Sequence, residues 1–156
     1  MNKTMAPKPV RASKAILSSL MLPEDANPRG KVFGGSVLKL IDNAAYVAAC
    51  RHAGTANCVT VSLDKVDFKV PIEIGEVVIL EAEVHYVGRT SVQVGVNVYA
   101  EDLNTGQRRQ SNSCLVTLVA VDAKGKPMSV PPLLPETKEE KRLYQEAQLR
   151  RQQQKK

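Results

Sequence analysis

The sequence predicts an α+β fold in which one long central helix is wrapped by an antiparallel β-sheet. Three observations predict it. Residues 34–51, GGSVLKLIDNAAYVAACR, form a helical stretch that is apolar around most of its circumference. Four later runs are rich in Val, Ile, Thr and Tyr. The connections between the last of these runs are too short for helical crossovers, so those strands must run antiparallel.

In chain order, Ala15 to Leu22 reads as an opening strand or a short helix, and residues 21–30, MLPEDANPRG, as a loop rich in Pro, Asn, Asp and Gly. The helix follows. Its Leu38, Leu40, Ile41, Ala44, Ala45, Val47, Ala48 and Ala49 surround the axis too widely for a surface helix, so most of its circumference must be covered. Strands are expected over Cys58–Phe68, Glu76–Val87, Ser91–Asp102 and Gln107–Val121. In the third of them Val92, Val94, Val96 and Val98 alternate with Gln93, Gly95, Asn97 and Tyr99, which gives one buried and one open face. Residues 102–106, DLNTG, and 122–127, DAKGKP, carry tight-turn chemistry. From Pro135 the tail has strong helix formers but hardly any apolar stripe beyond Leu143, Tyr144 and Leu149, which predicts a marginal helix fraying into disorder. The expected organisation is a flexible basic N-terminus over 1–12, the folded domain over 13–134, and a basic helical or disordered tail over 135–156. A sheet with one face on a helix keeps an edge or its outer face free, which predicts pairing with a second copy.

The 156 residues suit one domain, and a hydrophobic content of 43% is enough to fill its core. Cys50, Cys58 and Cys114 are odd in number and far apart, and the chain has two histidines, His52 and His85. These cysteines read as free thiols in a reducing compartment, and no metal site is expected. The N-terminus lacks a signal-peptide core and no run is long and apolar enough to span a bilayer, so a soluble cytoplasmic protein without a membrane partner is expected.

The net charge of +6 is not spread evenly. Residues 1–14 carry four basic and no acidic side chains, and residues 137–156 carry seven basic and three acidic, so each end contributes +4 and the 122 residues between them total −2. Basic ends on a mildly acidic core are solvated tails more readily than a binding face, and six aromatics offer little base stacking. Nucleic acid is not the expected partner.

The chemistry centres on Asp42, a lone carboxylate in the apolar helix, which must be paired, hydrated or useful. The helix is entered through a glycine-rich loop, and the free amides of Gly34, Gly35 and Ser36 suit a carbonyl oxygen. With Asp42 about two turns further on, the pair is suited to hydrolysing an acyl compound. There is no GxSxG elbow, and the loop lacks the Lys that a phosphate-binding loop needs before its Ser. Plainer readings stand beside these. Lys39, Asp42, Asn43, Tyr46 and Cys50 recur at helical spacing and can form a polar stripe, the glycines can be a tight turn, Asn27 can bond its own turn, and Gly88-Arg89-Thr90-Ser91 can simply join two strands.

Taken together and in register, Asp25-Ala-Asn27-Pro-x-Gly30-x-x-Phe-Gly34-Gly35-(x)6-Asp42, then Val66-Asp67-Phe68 and Gly88-Arg89-Thr90-Ser91, closely resemble the acyl-CoA thioesterases of the hotdog superfamily. The resemblance is to the branch holding the bacterial YciA-type enzymes and the cytosolic brain-type acyl-CoA hydrolases, and it covers roughly residues 13 to 150. It implies the hotdog fold, dimers with a continuous sheet and commonly a trimer of dimers. It implies hydrolysis of fatty acyl-CoA at the dimer interface. There Asp42 of one subunit acts as base or nucleophile, Asn27 of the other positions water or carbonyl, and Gly35 belongs to the catalytic loop. The resemblance also places CoA near Val66, Asp67 and Phe68 and near Gly88, Arg89, Thr90 and Ser91. CoA is then part of substrate and product, and no separate cofactor is implied. Charge position adds Arg150, with Arg151, as groups that neutralise its phosphates. Two departures exist: some relatives carry His where this chain has Phe33, and the animal forms fuse two such domains.

Other classes stay open on sequence grounds. A non-catalytic acyl-CoA or nucleotide sensor on the same fold would bind without turnover. A nucleic-acid binder using the basic ends would lose affinity steeply with salt. The hotdog dehydratases use an Asp/His pair, and His52 lies on a different helix face from Asp42.

Overall fold

A computed structural model of the chain describes residues 5–154. Its elements are β1 (Lys8–Pro9), β2 (Ala15–Leu20), α1 (Gly34–Ala53), β3 (Cys58–Phe68), β4 (Val77–Val87), β5 (Ser91–Glu101), β6 (Arg108–Ala120), β7 (Leu133–Leu134) and α2 (Lys138–Gln154), with single 3-10 turns at Val10–Ala12 and Pro23–Asp25. β2 to β6 form one antiparallel sheet in the order β2-β4-β5-β6-β3, and β1 pairs with β7 in a separate parallel ribbon.

The helix α1 buries Val37, Ile41, Ala44, Ala45, Ala48, Ala49 and His52. That series steps by three and four residues, and its many alanines let the helix axis lie close to the strands. Opposite it, Val78, Leu80, Ala82 and Val84 of β4, Val92, Val94, Val96 and Val98 of β5, and Cys114, Val116, Leu118 and Ala120 of β6 turn every second side chain inward. Together they make one core. The helix stops where Gly54 adopts φ 73° and its amide bonds the Cys50 carbonyl at 2.8 Å, a left-handed cap that a Cβ would disfavour.

The expected strand over Cys58–Phe68 is observed with those ends, and the others lie within a residue of expectation at each end. Two chain ends differ from a loose reading. Lys8–Pro9, within the segment expected to be flexible, pairs with Leu133–Leu134, and residues 1–4 of that segment lie outside the described residues. The tail forms an unbroken helix, α2, rather than one that frays early, and residues 155–156 lie beyond it, outside the described residues. The cause is local as well as tertiary: Thr137 Oγ1 accepts the Glu140 amide at 3.0 Å, while the Glu140 carboxylate accepts the Glu136 amide at 3.1 Å. Ala147 is buried, and Tyr144 stacks on Tyr86 of β4 with ring centroids 5.0 Å apart.

Candidate active site

Asp42 is the ninth residue of α1 and is half-buried. Its Oδ1 accepts a hydrogen bond from Thr60 Oγ1 at 2.6 Å. Thr60 lies on β3 in the same inward alternation as Cys58, so strand and helix meet at this carboxylate. The bond is short and fixes one carboxylate oxygen, and among the described residues the other oxygen accepts no hydrogen bond. Tyr46, one turn further along, donates its hydroxyl to the Ala56 carbonyl. The stripe therefore exists, and its Asp42 and Tyr46 are tied to the chain that follows the helix. Sequence reasoning missed Thr60; the inward phase of β3 was the available signal.

The N-terminus of α1 has no side-chain cap, because Phe33 occupies the cap position. The amides of Gly34 and Gly35 accordingly lack both an intrahelical acceptor and a capping oxygen, whereas the Ser36 amide, expected to be free, donates to the Phe33 carbonyl at 3.0 Å. At Gly35 an added Cβ would stand 2.9 Å from Phe33 Cζ, so the exposed Phe33 ring occupies the space that a side chain at 35 would need. Beside this terminus lies a cavity of about 280 Å³ lined by apolar groups of Val32, Val37, Phe68, Val70 and Ile72. The Phe68 ring passes 3.8 Å from the position of a Cβ on Gly34. An apolar slot that ends on free helix amides can seat an acyl chain and polarise its carbonyl.

Asn27 plays the turn role in this protomer. Its Oδ1 accepts the amides of Arg29 at 2.9 Å and Lys31 at 3.1 Å, and its own amide bonds the Lys31 carbonyl at 2.7 Å. No hydrogen bond links it to Asp42 within the protomer among the described residues. Gly88 to Ser91 close the β4–β5 hairpin through a 2.9 Å bond from the Gly88 amide to the Ser91 carbonyl. That hairpin is remote from Val66, Asp67 and Phe68: Phe68 pairs with Asn112 and Ser91 with Val119, seven positions apart on β6, or about 23 Å at ~3.3 Å per residue. Arg150 reaches the hairpin end, where its Nη2 donates to Gln93 Oε1 at 3.2 Å.

Titrating groups narrow the chemistry. Burial pushes the Cys58 thiol up to about 12 and the Cys114 thiol up to about 11, so neither is a thiolate nucleophile near neutral pH. His52 and His85 are held neutral because burial lowers their proton affinity. His52 Nε2 lies 2.7 Å from the Pro131 carbonyl, at the far end of α1 from the cavity.

A family model described as the thioesterase superfamily matches residues 29–107. The chain belongs to the thioesterase superfamily. Its helix wrapped by a five-stranded antiparallel sheet is the hotdog fold of these enzymes. Among curated relatives of this thioesterase domain, YkhA of Bacillus subtilis, named as an uncharacterized acyl-CoA thioester hydrolase, is 40% identical over 137 residues, covering 88% of this chain and 79% of that protein. Among solved structures, a hexameric acyl-CoA thioesterase in its apo form superposes with a TM-score of 0.91 at 44% identity, covering 97% of this chain and 96% of that one. An acyl-CoA hydrolase of Staphylococcus aureus, solved with butyryl-CoA, CoA and CoA disulfide, gives a TM-score of 0.86 at 34% identity, covering 95% and 90%. The acyl-CoA hydrolase of Staphylococcus aureus has also been solved as three single variants, in which alanine replaces an aspartate, an asparagine or a threonine.

Proposed function

We infer that this chain hydrolyses fatty acyl-CoA to the free acid and CoA, with Asp42 activating the attacking water. The Asp42–Thr60 bond carries the reading, since it orients a carboxylate on the helix whose uncapped N-terminus adjoins an apolar slot. In this mechanism the thioester carbonyl is polarised by the amides at Gly34 and Gly35 of the neighbouring protomer, because within one protomer these lie seven or more residues, at least about 10 Å, along α1 from Asp42. The free oxygen of Asp42 takes a proton from water as the water oxygen attacks the carbonyl carbon, the tetrahedral intermediate collapses with cleavage of the C–S bond, and Asp42 returns the proton to the departing sulfur, so CoA leaves as the free thiol.

The complete site needs two protomers, with Asp42 from one and Asn27 and Gly35 from the other. Support comes from the absence of any Asn27–Asp42 bond within the described protomer and from the edge strand β3, where Val59 is 50% and Val61 56% exposed. An open apolar edge is completed by a second copy of itself. The protein is accordingly a homo-oligomer, dimeric at least, and the hexameric relatives support a trimer of dimers. Phe68, with Val66 and Asp67, is assigned to the pantetheine arm, and Gly88, Arg89, Thr90, Ser91 and Arg150 of the neighbouring protomer to the nucleotide end. A cytoplasmic location is part of this reading, supported by the free thiols of Cys50, Cys58 and Cys114 and by a CoA-ester substrate.

The test is thiol release from short, medium and long acyl-CoAs by wild type, Asp42→Ala and Asn27→Ala. Wild type is expected to turn over, with Asp42→Ala slowed by roughly 10²–10⁴-fold while still folded. Binding of the whole panel without thiol release would establish the sensor reading instead.

A further inference from the structure

One wall of the apolar cavity beside α1 belongs to no strand. It is the run from Phe68 to Ile72, which lines the cavity just as the chain leaves β3. Pairing of β3 with β6 ends at the same place, with Phe68 opposite Asn112. The wall's carbonyls must therefore find donors other than strand amides. Side chains of β6 supply them. Ser111 Oγ donates to the Val70 carbonyl at 2.6 Å, and Arg109 Nη2 donates to the Pro71 carbonyl at 2.9 Å. Asn112, with its amide nitrogen turned toward the carbonyls, donates to that of Asp67 at 3.2 Å and to that of Ser111 at 2.9 Å.

Strand β6 is bent to make this possible. Ser111 and Asn112 are adjacent, yet they are only 1% and 4% exposed, which breaks the alternation of a strand. A bulge is the cause: Val98 of β5 pairs with Asn112 and Tyr99 with Gln110, so Ser111 has no partner on β5. Two successive polar side chains are thereby buried, a placement that costs free energy unless each is bonded. The far end of the wall is fixed separately, by the Val32 amide on the Ile72 carbonyl at 3.0 Å. Its near end and middle depend on β6. A smaller depression of about 140 Å³ borders the same joint at Asp67, Lys69, Ser111 and Ser113, so a released wall has room to move.

We propose that Ser111 and Asn112 are positioning residues that set the width of the acyl cavity and, through it, the chain-length preference of the enzyme. They act through the Phe68–Ile72 wall. Held at Asp67 and Val70, the wall limits the acyl chain that fits beside α1; released, it opens the cavity and longer chains gain. The proposal rests on the thioesterase reading for its ligand, and its test separates the two.

The experiment measures thiol release from butyryl-, octanoyl- and hexadecanoyl-CoA by wild type, Ser111→Ala, Asn112→Ala and Ser111→Cys, the last keeping most of the volume and a weak donor. Binding of S-alkyl thioethers of CoA with the same chain lengths, which cannot be hydrolysed, is measured in parallel by calorimetry. The positioning role predicts that each alanine variant raises the ratio of kcat/KM for hexadecanoyl-CoA over butyryl-CoA at least about threefold, with thioether affinities shifting in the same sense. The kcat for butyryl-CoA stays within about twofold of wild type, because Asp42 and Thr60 are untouched. Ser111→Cys shifts the ratio in the same direction, and it carries the test if thermal unfolding shows that an alanine variant does not fold. A smaller change in the alanine variants, an unchanged ratio in Ser111→Cys, or equal losses at all three lengths would show that these side chains only stabilise the sheet, and would overturn the proposal. If wild type releases no thiol at any length, the thioesterase reading fails and the thioether affinities decide the positioning role. A wild type that binds no thioether would overturn both.

Discussion

Replacing Thr60 with Val removes one hydroxyl and little volume, and so isolates the 2.6 Å bond that this hydroxyl donates to Asp42. The carboxylate keeps its place on α1, but nothing then holds Oδ1, and the side chain is free to rotate about χ2. A hydrogen bond to a charged group contributes roughly 1.5–3 kcal/mol. If that whole energy serves to keep the second oxygen on the water, losing it lowers kcat about ten- to a hundredfold, at ~1.4 kcal/mol per decade. KM should move less than about twofold, because Thr60 does not line the acyl cavity. Thr60→Ser restores the donor and should recover most of the rate. The assay is thiol release at saturating acyl-CoA, with thermal unfolding as the control for folding. A Thr60→Val enzyme that keeps wild-type kcat, or a loss that Ser does not rescue, would refute a positioning role for this hydroxyl.

Three further outcomes follow from the same geometry. Gly35→Ala puts a methyl where the Phe33 ring lies, and because that ring is exposed it swings aside, so Tm should hold within a few degrees while kcat/KM falls about tenfold or more through the altered approach to the helix amides. Arg109 grips the buried Glu76 carboxylate through two bonds of 2.6 and 2.7 Å, and this pairing is the main reason Glu76 titrates below its ordinary 4.5. That stabilisation is complete above pH 4.5 and is lost as pH falls through the lower folded value. Arg109→Leu should therefore cost about 2 kcal/mol in urea unfolding at pH 7, discounted for the partly exposed guanidinium, and much less at pH 3. His52 is fully buried and favours its neutral form, so the unfolded chain binds the proton more tightly. Stability should fall as pH drops below 6.5, at up to ~1.4 kcal/mol per pH unit, and His52→Gln should flatten that slope in Tm measured from pH 7.5 to 5.

What the sequence made legible was set by local pattern. The alternation of Val92 through Val98 and the small-residue stripe of α1 each leave a periodic mark, and they identified the sheet and the buried helix with near-correct ends. Asp42 stood out because a carboxylate in an apolar helix is costly. Thr60 did not, since a threonine in a strand is ordinary, and its partner lies 18 residues away on another element. The pairing of Lys8–Pro9 with Leu133–Leu134 was hidden because two-residue strands carry no period and their contact spans most of the chain. The firmness of α2 was partly readable in the Thr137–Glu140 cap. Its docking was not, because it uses Tyr144 and two arginines in place of an apolar stripe. The hairpin motif Gly88 to Ser91 was recognised as significant, yet its seating of Arg151 needed the helix in place.

The central claim is a thioesterase site shared between two protomers, and the most direct test is complementation. Asp42→Ala and Asn27→Ala chains, each nearly inactive alone, are coexpressed with different tags and the mixed oligomer is purified. In a mixed dimer one of the two sites keeps both native residues, so a dimer purified through both tags should recover about half of wild-type thiol release, and a hexamer of randomly paired dimers about a quarter. A mixed oligomer no more active than its parents would contradict the shared site.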